Sequence, residues 1–159
     1  MPPRFTTLLT AVLLAPLAAL QAADAPSLQS PKHLGLPLTE HAVTNRAITM
    51  APSITVAPKG RLWAIWYAGI TPNEDLNNYV VLSTSGDGGA TWQEVLTIDP
   101  DAGGPVRAFD PELWVSPDGR LFVFWAQAVG YDKPGLWCIE TTEPDADRPT
   151  WTHPRRAFC

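Results

Sequence analysis

Apolar and polar positions between residues 51 and 158 fall into short runs that glycine- and proline-containing turns separate. Residues 79–84 and 93–98 are strand-like and flank one glycine-rich turn, which predicts a β-hairpin. Residues 62–67 and 121–125 are apolar at nearly every position, as is typical of strands buried on both faces. No window has a convincing helical period, and the 17 prolines would interrupt most helices. The pattern predicts an all-β fold.

The turns divide this region into eight predicted strands, in two groups of four. The first group is 51–57, 61–68, 78–85 and 92–98, and the second is 110–116, 120–127, 135–142 and 151–158. Residues 58–61 and 117–120 (Pro-Lys-Gly-Arg and Pro-Asp-Gly-Arg) are predicted tight turns between the first two strands of each group.

The two groups repeat one another in sequence. Residues 51–67 and 110–126 are 59 positions apart and identical at seven of 17 positions, and the same offset pairs Thr91-Trp92 with Thr150-Trp151. Repeats of this size with several strands each are typical of β-propeller blades, so we predict one blade at 51–98 and another at 110–158. At this offset Ala146 takes the place of Asp87, and Arg148 that of Gly89.

The turn at residues 85–92 (Ser-Gly-Asp-Gly-Gly-Ala-Thr-Trp) is unusually well specified. Ser85 and Asp87 carry short oxygen groups that accept hydrogen bonds from nearby backbone N–H groups. Gly88 and Gly89 permit positive φ. Thr91 and Trp92 restart a strand, and we expect the indole to pack under the turn.

Two blades do not close a propeller, which needs about four to eight. We therefore expect the chain to be the N-terminal portion of a longer, six-bladed protein, or a truncated gene product that other copies would have to complete. Within it we predict an extended lead-in at 23–50, with His33 and His41 in solvated loops, and an incomplete propeller domain at 51–159.

The first 22 residues have the features of a secretory signal peptide. A basic start at Arg4 precedes an apolar run at 8–20, and small residues follow at the expected cleavage position. The run is too short to favour a membrane-spanning helix. We expect a secreted or periplasmic protein with no membrane span after the signal is removed.

Without the signal peptide, 10 Lys and Arg face 16 Asp and Glu, a net charge of −6. This acidic balance with no basic run argues against a nucleic-acid partner. No His or Cys pair has metal-ligand spacing, so we expect no metal and no cofactor. Cys138 and Cys159 are free to form a disulfide in an exported chain, or to remain buried thiols.

The turn at 85–92 matches the pattern S-x-D-x-G-x-T-W at every specified position, and so resembles the Asp box of the sialidase (neuraminidase) superfamily. The resemblance implies a six-bladed, BNR-repeat β-propeller in which Ser85, Asp87, Gly89, Thr91 and Trp92 are structural and lie away from the active-site face.

The resemblance also implies site residues. In that family an acid/base Asp precedes the box in the loop between the second and third strands; Asp75 is the nearest match and Glu74 the alternative. The family's second blade often opens with Asp-Pro, which Asp110-Pro111 matches. Arg107, Asn77 and Tyr67 are further candidates for substrate contacts, with Tyr67 and Tyr131 as stacking residues. Met50-Ala51-Pro52 replaces the family's Arg-Ile-Pro, and Arg46 is four residues too early to stand in.

These residues predict a secreted glycoside hydrolase of the exo-sialidase type that cleaves terminal sugars from glycans, with a carbohydrate as its partner. A glycosidase needs a carboxylic acid to protonate the leaving oxygen and a second group at the anomeric carbon. The alternatives are a polysaccharide lyase acting on uronate-containing glycans and a non-catalytic carbohydrate-binding propeller. We expect activity from the full-length protein and none from the 159-residue piece alone.

Overall fold

The computed structural model describes residues 25–130 and 134–157, and in this part the chain is all-β with two antiparallel sheets. The signal peptide, Tyr131 and Cys159 lie outside the described residues. Short 3₁₀ turns are formed by Pro26–Leu28, Thr39–His41 and Val43–Asn45.

Most neighbouring strands of the two sheets are consecutive in the chain. Sheet A contains β1 (His33–Gly35), β2 (Ile48–Val56), β3 (Leu62–Gly69), β4 (Tyr79–Ser85) and β5 (Gln93–Asp99), in the spatial order β1-β5-β4-β3-β2. Sheet B contains β6 (Val106–Val115), β7 (Leu121–Val129), β8 (Gly135–Thr141) and β9 (Arg155–Arg156), in chain order. Sheet B and strands β2 to β5 of sheet A are meanders of consecutive strands, and β1 is added at the edge of sheet A beside β5. The predicted grouping of strands therefore matches the two sheets, although β9 is far shorter than the predicted strand at 151–158.

The predicted lead-in is part of sheet A. Strand β1 pairs with β5 through Leu34 and Ile98, and β2 begins at Ile48, three residues before the predicted domain boundary. His41 is buried at 2% exposure, so the prediction of a solvated histidine there is wrong. The segment packs through polar and ring contacts, in which His41 meets Tyr79 and Asp99 and Arg46 meets Glu94. Hydrophobic periodicity does not reveal contacts of this kind.

The core lies between the two sheets, where alternate residues of each strand point inward. Sheet A contributes Trp63, Ile65 and Leu82, and sheet B contributes Val123 and Trp125, all of them at most 1% exposed. The indole N–H of Trp63 donates to the carbonyl of Pro144 at 2.7 Å, so the largest core side chain buries no unsatisfied donor.

The sequence repeat is also a repeat of backbone geometry. One extra residue interrupts the register of β2 with β3 between Met50 and Ser53, and of β6 with β7 between Phe109 and Glu112. These β-bulges are 59 residues apart. Each bulge contains a non-glycine residue with positive φ, which is Ala51 (49°) in the first predicted unit and Asp110 (44°) at the equivalent position of the second.

The turn at 85–92 forms the predicted hydrogen bonds. One carboxylate oxygen of Asp87 accepts from the Ser85 hydroxyl (2.8 Å) and the Thr91 N–H (2.9 Å), and the other accepts from the Thr91 hydroxyl (2.6 Å). Gly88 and Gly89 both have positive φ. The indole of Trp92 lies against its own turn at Gly89, as expected, but 44% of the residue remains exposed.

The second unit has an equivalent turn with different residues. Thr141 pairs with Leu121 as Ser85 pairs with Leu62, so the structural offset at this point is 56. Glu143, not Ala146, therefore stands in the place of Asp87. Its carboxylate accepts the N–H of Thr150 at 3.2 Å, as Asp87 accepts that of Thr91. The fixed offset of 59 missed this because the β7–β8 connection is three residues shorter than the β3–β4 connection, and three extra residues within the turn restore the offset at Thr150.

Replacing Asp87 with Asn should lower the melting temperature in a way that depends on pH. Hydrogen bonds from Thr91 and Ser85 lower the pKa of Asp87 from 3.8 to about 2. The charged carboxylate thus contributes stability above pH 3.8, and this contribution is lost as the pH falls towards 2. Thermal melts of both proteins at several pH values should show a difference at pH 7 that shrinks between these limits. A difference that is the same throughout would contradict this role.

Candidate functional site

The strands separate the chain's loops into two ends. The turns at 57–61, 86–92, 116–120 and 142–150 lie at one end, which we call the turn end. The loop at 70–78, the start of β6 and the end of β7 lie at the other, which we call the site end. Because β4 runs from one end to the other, the Asp box is a full strand away from Glu74 and Asp75.

At the site end one ion pair joins the two sheets. Arg107 at the start of β6 donates through Nη1 to the carboxylate of Glu74, and through Nε to the carbonyl of Gly130 at 3.1 Å. Its guanidinium also lies over the ring of Phe109, 4.1 Å from the centroid. The Arg107 side chain is only 7% exposed, against 35% for Glu74, so the carboxylate is the accessible member of the pair.

Asp75 organises its own loop. Its carboxylate accepts hydrogen bonds from the Thr71 hydroxyl and, at 2.7 Å, from the Asn77 N–H. Burial raises the pKa of Asp75, but these hydrogen bonds and the charge of Arg107 outweigh burial, so the net pKa is below its ordinary value. Asp75 is therefore kept ionised, and its carboxylate oxygens already accept hydrogen bonds from within its own loop.

The loop is anchored by Asn78, whose importance the sequence did not reveal. Its side-chain oxygen accepts the Asp75 N–H, and its carbonyl accepts the N–H of Ala108, next to Arg107, each at 2.8 Å. A Cβ on Gly69 would lie 2.5 Å from the Asn78 amide nitrogen, so only glycine leaves it room. The spacing of Thr71, Asp75 and Asn78, polar residues four and three apart in one loop, is the signal that could have found this unit.

Glu74, Asp75 and Arg107 line a cavity of about 310 Å³, together with Leu76 and Gly130. The structure thus brings together three residues that the sequence singled out, from two different sheets. Asp110 is outside this lining, exposed on the β6 bulge. Bulges commonly redirect a side chain beside an active site.

Two candidates for substrate contact are placed differently from the expectation. Tyr67 is 2% exposed within the main core, and its hydroxyl donates to the sulfur of Met50 at 3.4 Å, so its ring offers no stacking face. Burial raises the pKa of Tyr67, and the charges of Glu74 and Asp110 raise it further. Asn77 lines a neighbouring cavity of about 230 Å³ with His41.

Arg46 lies away from the candidate site. Its guanidinium donates to both carboxylate oxygens of Glu94 at 2.5 and 2.6 Å and to the carbonyl of His41 at 2.7 Å. A second polar pair with a single contact lies beside this bidentate pair: His41 Nε2 and Asp99 Oδ2 are 3.2 Å apart. The cluster fixes the segment before β2 to sheet A, so Arg46 does not replace the arginine that Met50-Ala51-Pro52 lacks.

Within residues 25–130 and 134–157, no group of three or more His, Cys, Asp and Glu is arranged to hold a metal ion. The same part of the chain contains no helix with enough apolar residues to cross a lipid bilayer. No protein-family model matches this chain, and no curated protein sequence matches it at a significant level.

Replacing Glu74 with Gln should destabilise the protein by about 1–2 kcal/mol, because it leaves the buried Arg107 charge without its carboxylate. Urea unfolding of the wild type and the variant measures this difference. Asp147→Asn is the matched control: Asp147 also pairs with an arginine, Arg61, but its side chain is 85% exposed. Equal losses in the two variants would contradict a special role for the Glu74–Arg107 pair.

Proposed function

We propose that this protein is a secreted, sialidase-like β-propeller glycoside hydrolase, and that the cavity at the site end is part of its sugar-binding site. The observation that carries the proposal is the meeting of Glu74, Asp75 and Arg107 in one cavity. These side chains come from two sheets, and paired carboxylates beside an arginine are groups that bind and cleave glycosides.

The propeller part of the proposal rests on the repeat. Two successive four-stranded antiparallel units share an equivalent bulge, an equivalent turn and a face-to-face packing arrangement. Propellers are built by radial repetition of such units. The apolar segment at residues 8–20 supports secretion.

The charges favour a sugar rich in hydroxyl groups over a sugar acid. Glu74 and Asp75 face a single guanidinium, that of Arg107, and this balance of two carboxylates to one cation repels an added carboxylate. Carboxylate oxygens instead accept hydrogen bonds from sugar hydroxyls. With Arg46 committed to Glu94 on another surface, the arginines available for a substrate carboxylate are reduced further.

We assign the acid/base role to Glu74 in preference to Asp75. A general acid must carry a proton at the working pH. The lowered pKa of Asp75 and its hydrogen bonds to Thr71 and Asn77 keep it ionised. The Glu74 side chain is 35% exposed, and its carboxylate accepts a hydrogen bond from Arg107 instead of from its own loop. A sugar that displaces Glu74 from Arg107 would leave this carboxyl group facing the glycosidic oxygen, to which it would pass a proton taken up from water.

The commitment of Asp75 to its own loop also favours a second candidate function, carbohydrate binding without cleavage. In that case Glu74 and Arg107 would position hydroxyl groups only. A lyase acting on uronates, the remaining alternative, gains less support because uronates carry the carboxylate that the local charge repels.

The test is a panel of neutral, sialylated and uronate-containing glycans incubated with the full gene product. We expect release of reducing sugar from neutral glycans. Glu74→Gln should lower the rate by about 100-fold or more, the typical contribution of acid/base catalysis, with the fold intact by circular dichroism.

Asp75→Asn is the comparison variant, and we expect it to lower the melting temperature and the rate together. Full activity in Glu74→Gln would overturn the assignment. Glycan binding by calorimetry without any product would support the binding function, and an unsaturated uronate product detected by ultraviolet absorbance would identify a lyase.

A further inference from the structure

The two sheets present non-identical faces to each other. Sheet A packs through the face that carries Trp63 and Ile65, which we call face 1, and sheet B packs through the face that carries Leu121 and Trp125, which we call face 2. At the 59-residue offset, Trp63 and Ile65 correspond to Phe122 and Phe124, which lie on the outer side of sheet B. The contact within the chain is therefore head-to-tail, face 1 of one unit against face 2 of the next.

Both outer sides are copies of surfaces that are paired inside the chain. On sheet A, residues 38–46 cover the site end of face 2, through His41 against Tyr79 and Arg46 against Glu94, and the turn end of face 2 is open. On face 2 of sheet A, Ile54 is 66% exposed and Val56 is 55% exposed. Their counterparts on sheet B, Leu113 and Val115, pack against the core. Aliphatic residues thus occupy these equivalent positions in both units, but they are covered on sheet B and open on sheet A.

Face 1 of sheet B carries an aromatic strip. Trp114 lies 5.2 Å from Phe122, which stacks on Phe124 at 5.9 Å with an interplanar angle of 8°. Trp114 is 50% exposed, whereas Phe122 is 7% exposed, so Trp114 is the open member of the strip. Open apolar surfaces of this kind commonly mark interaction sites.

We propose that face 2 of sheet A is a docking surface for face 1 of sheet B in a second copy of this chain. Continuity with the internal interface supports a second copy, because another copy supplies the same partner surface in the same orientation. A head-to-tail contact of this type closes into a ring when the rotation per unit permits.

The turn end supplies charge complementarity for this contact. Inside the chain, Arg61 reaches across to the turn of sheet B, donating to the Asp145 carbonyl at 3.0 Å and pairing with Asp147. Its counterpart is Arg120, which pairs with Asp118 and Glu140 of its own sheet. In a second copy, Arg120 would face the turn that contains Asp87, whose lowered pKa keeps it charged.

The internal contact also predicts a residue pair across the two copies. The Ser53 hydroxyl accepts the N–H of Leu113 at 3.2 Å, which places β2 and β6 side by side. Applying the same offset, Glu112 of one copy should meet Ile54 of the next. Neither residue belongs to the candidate sugar site, so this proposal does not rest on the proposed function.

The experiment mixes an Ile54→Cys protein with a Glu112→Cys protein under mild oxidation. We expect a covalent heterodimer in the mixture and little homodimer in either protein alone. The control replaces Ile54→Cys with Ile70→Cys, because Ile70 is a 51% exposed isoleucine in the β3–β4 loop at the site end, whereas Ile54 lies within strand β2. Equal cross-linking with the control, or none with the test pair, would overturn the proposal.

Light scattering after size exclusion gives a second measurement on the unmodified chain and the full gene product. We expect a defined oligomer that Ile54→Lys weakens by about tenfold or more and Ile70→Lys leaves unchanged. A stable monomer in which Ile54→Lys changes nothing would also overturn the proposal, as would a symmetric dimer that Ile54→Lys leaves intact.

Discussion

The packing of sheet A on sheet B is the interaction on which the rest of the structure depends. Trp63 and Trp125 are fully buried between the sheets. Among the described residues, the cluster between the sheets is larger than the second buried cluster, that of Ala68, Tyr79 and Val81. Because the sheets face one another, β6 lies beside β2, β3 and β4. This proximity brings Arg107 to Glu74. The candidate site is therefore a product of core burial, and its ion pair joins loops that the core has already aligned.

Polar clusters outside the core fix the segments that apolar packing leaves underdetermined. The Arg46–Glu94 and His41–Asp99 pairs attach residues 38–46 to sheet A. Asn78 does the same for the loop at 70–77, since it bonds that loop and β6 with one residue. In each case a hydrogen bond or ion pair reaches a residue distant in sequence, Glu94 and Asp99 in the first cluster and Ala108 in the second, and this restricts the backbone.

The strands, their grouping and the turn at 85–92 could be predicted because they follow from local pattern and turn chemistry. Glu74, Asp75 and Arg107 could be predicted one by one as candidates, whereas their meeting in one cavity follows from the packing of the two sheets. The burial of His41 and Tyr67 could not, because it depends on segments packing from elsewhere in the chain. Glu143 was missed for a different reason: the shorter β7–β8 connection changes the offset to 56, and only the strand pairing reveals this change.

The pairing of β1 with β5 has a consequence for the order of folding. Leu34 and Ile98 are 64 residues apart, whereas β2 to β5 pair with immediate neighbours through short connections. Closing the long loop costs more entropy and waits until β5 has been synthesised. The N-terminal segment should therefore attach last to a sheet that is already formed. Sheet A is in this sense assembled from its centre outward, and its first strand in sequence is its final one in time.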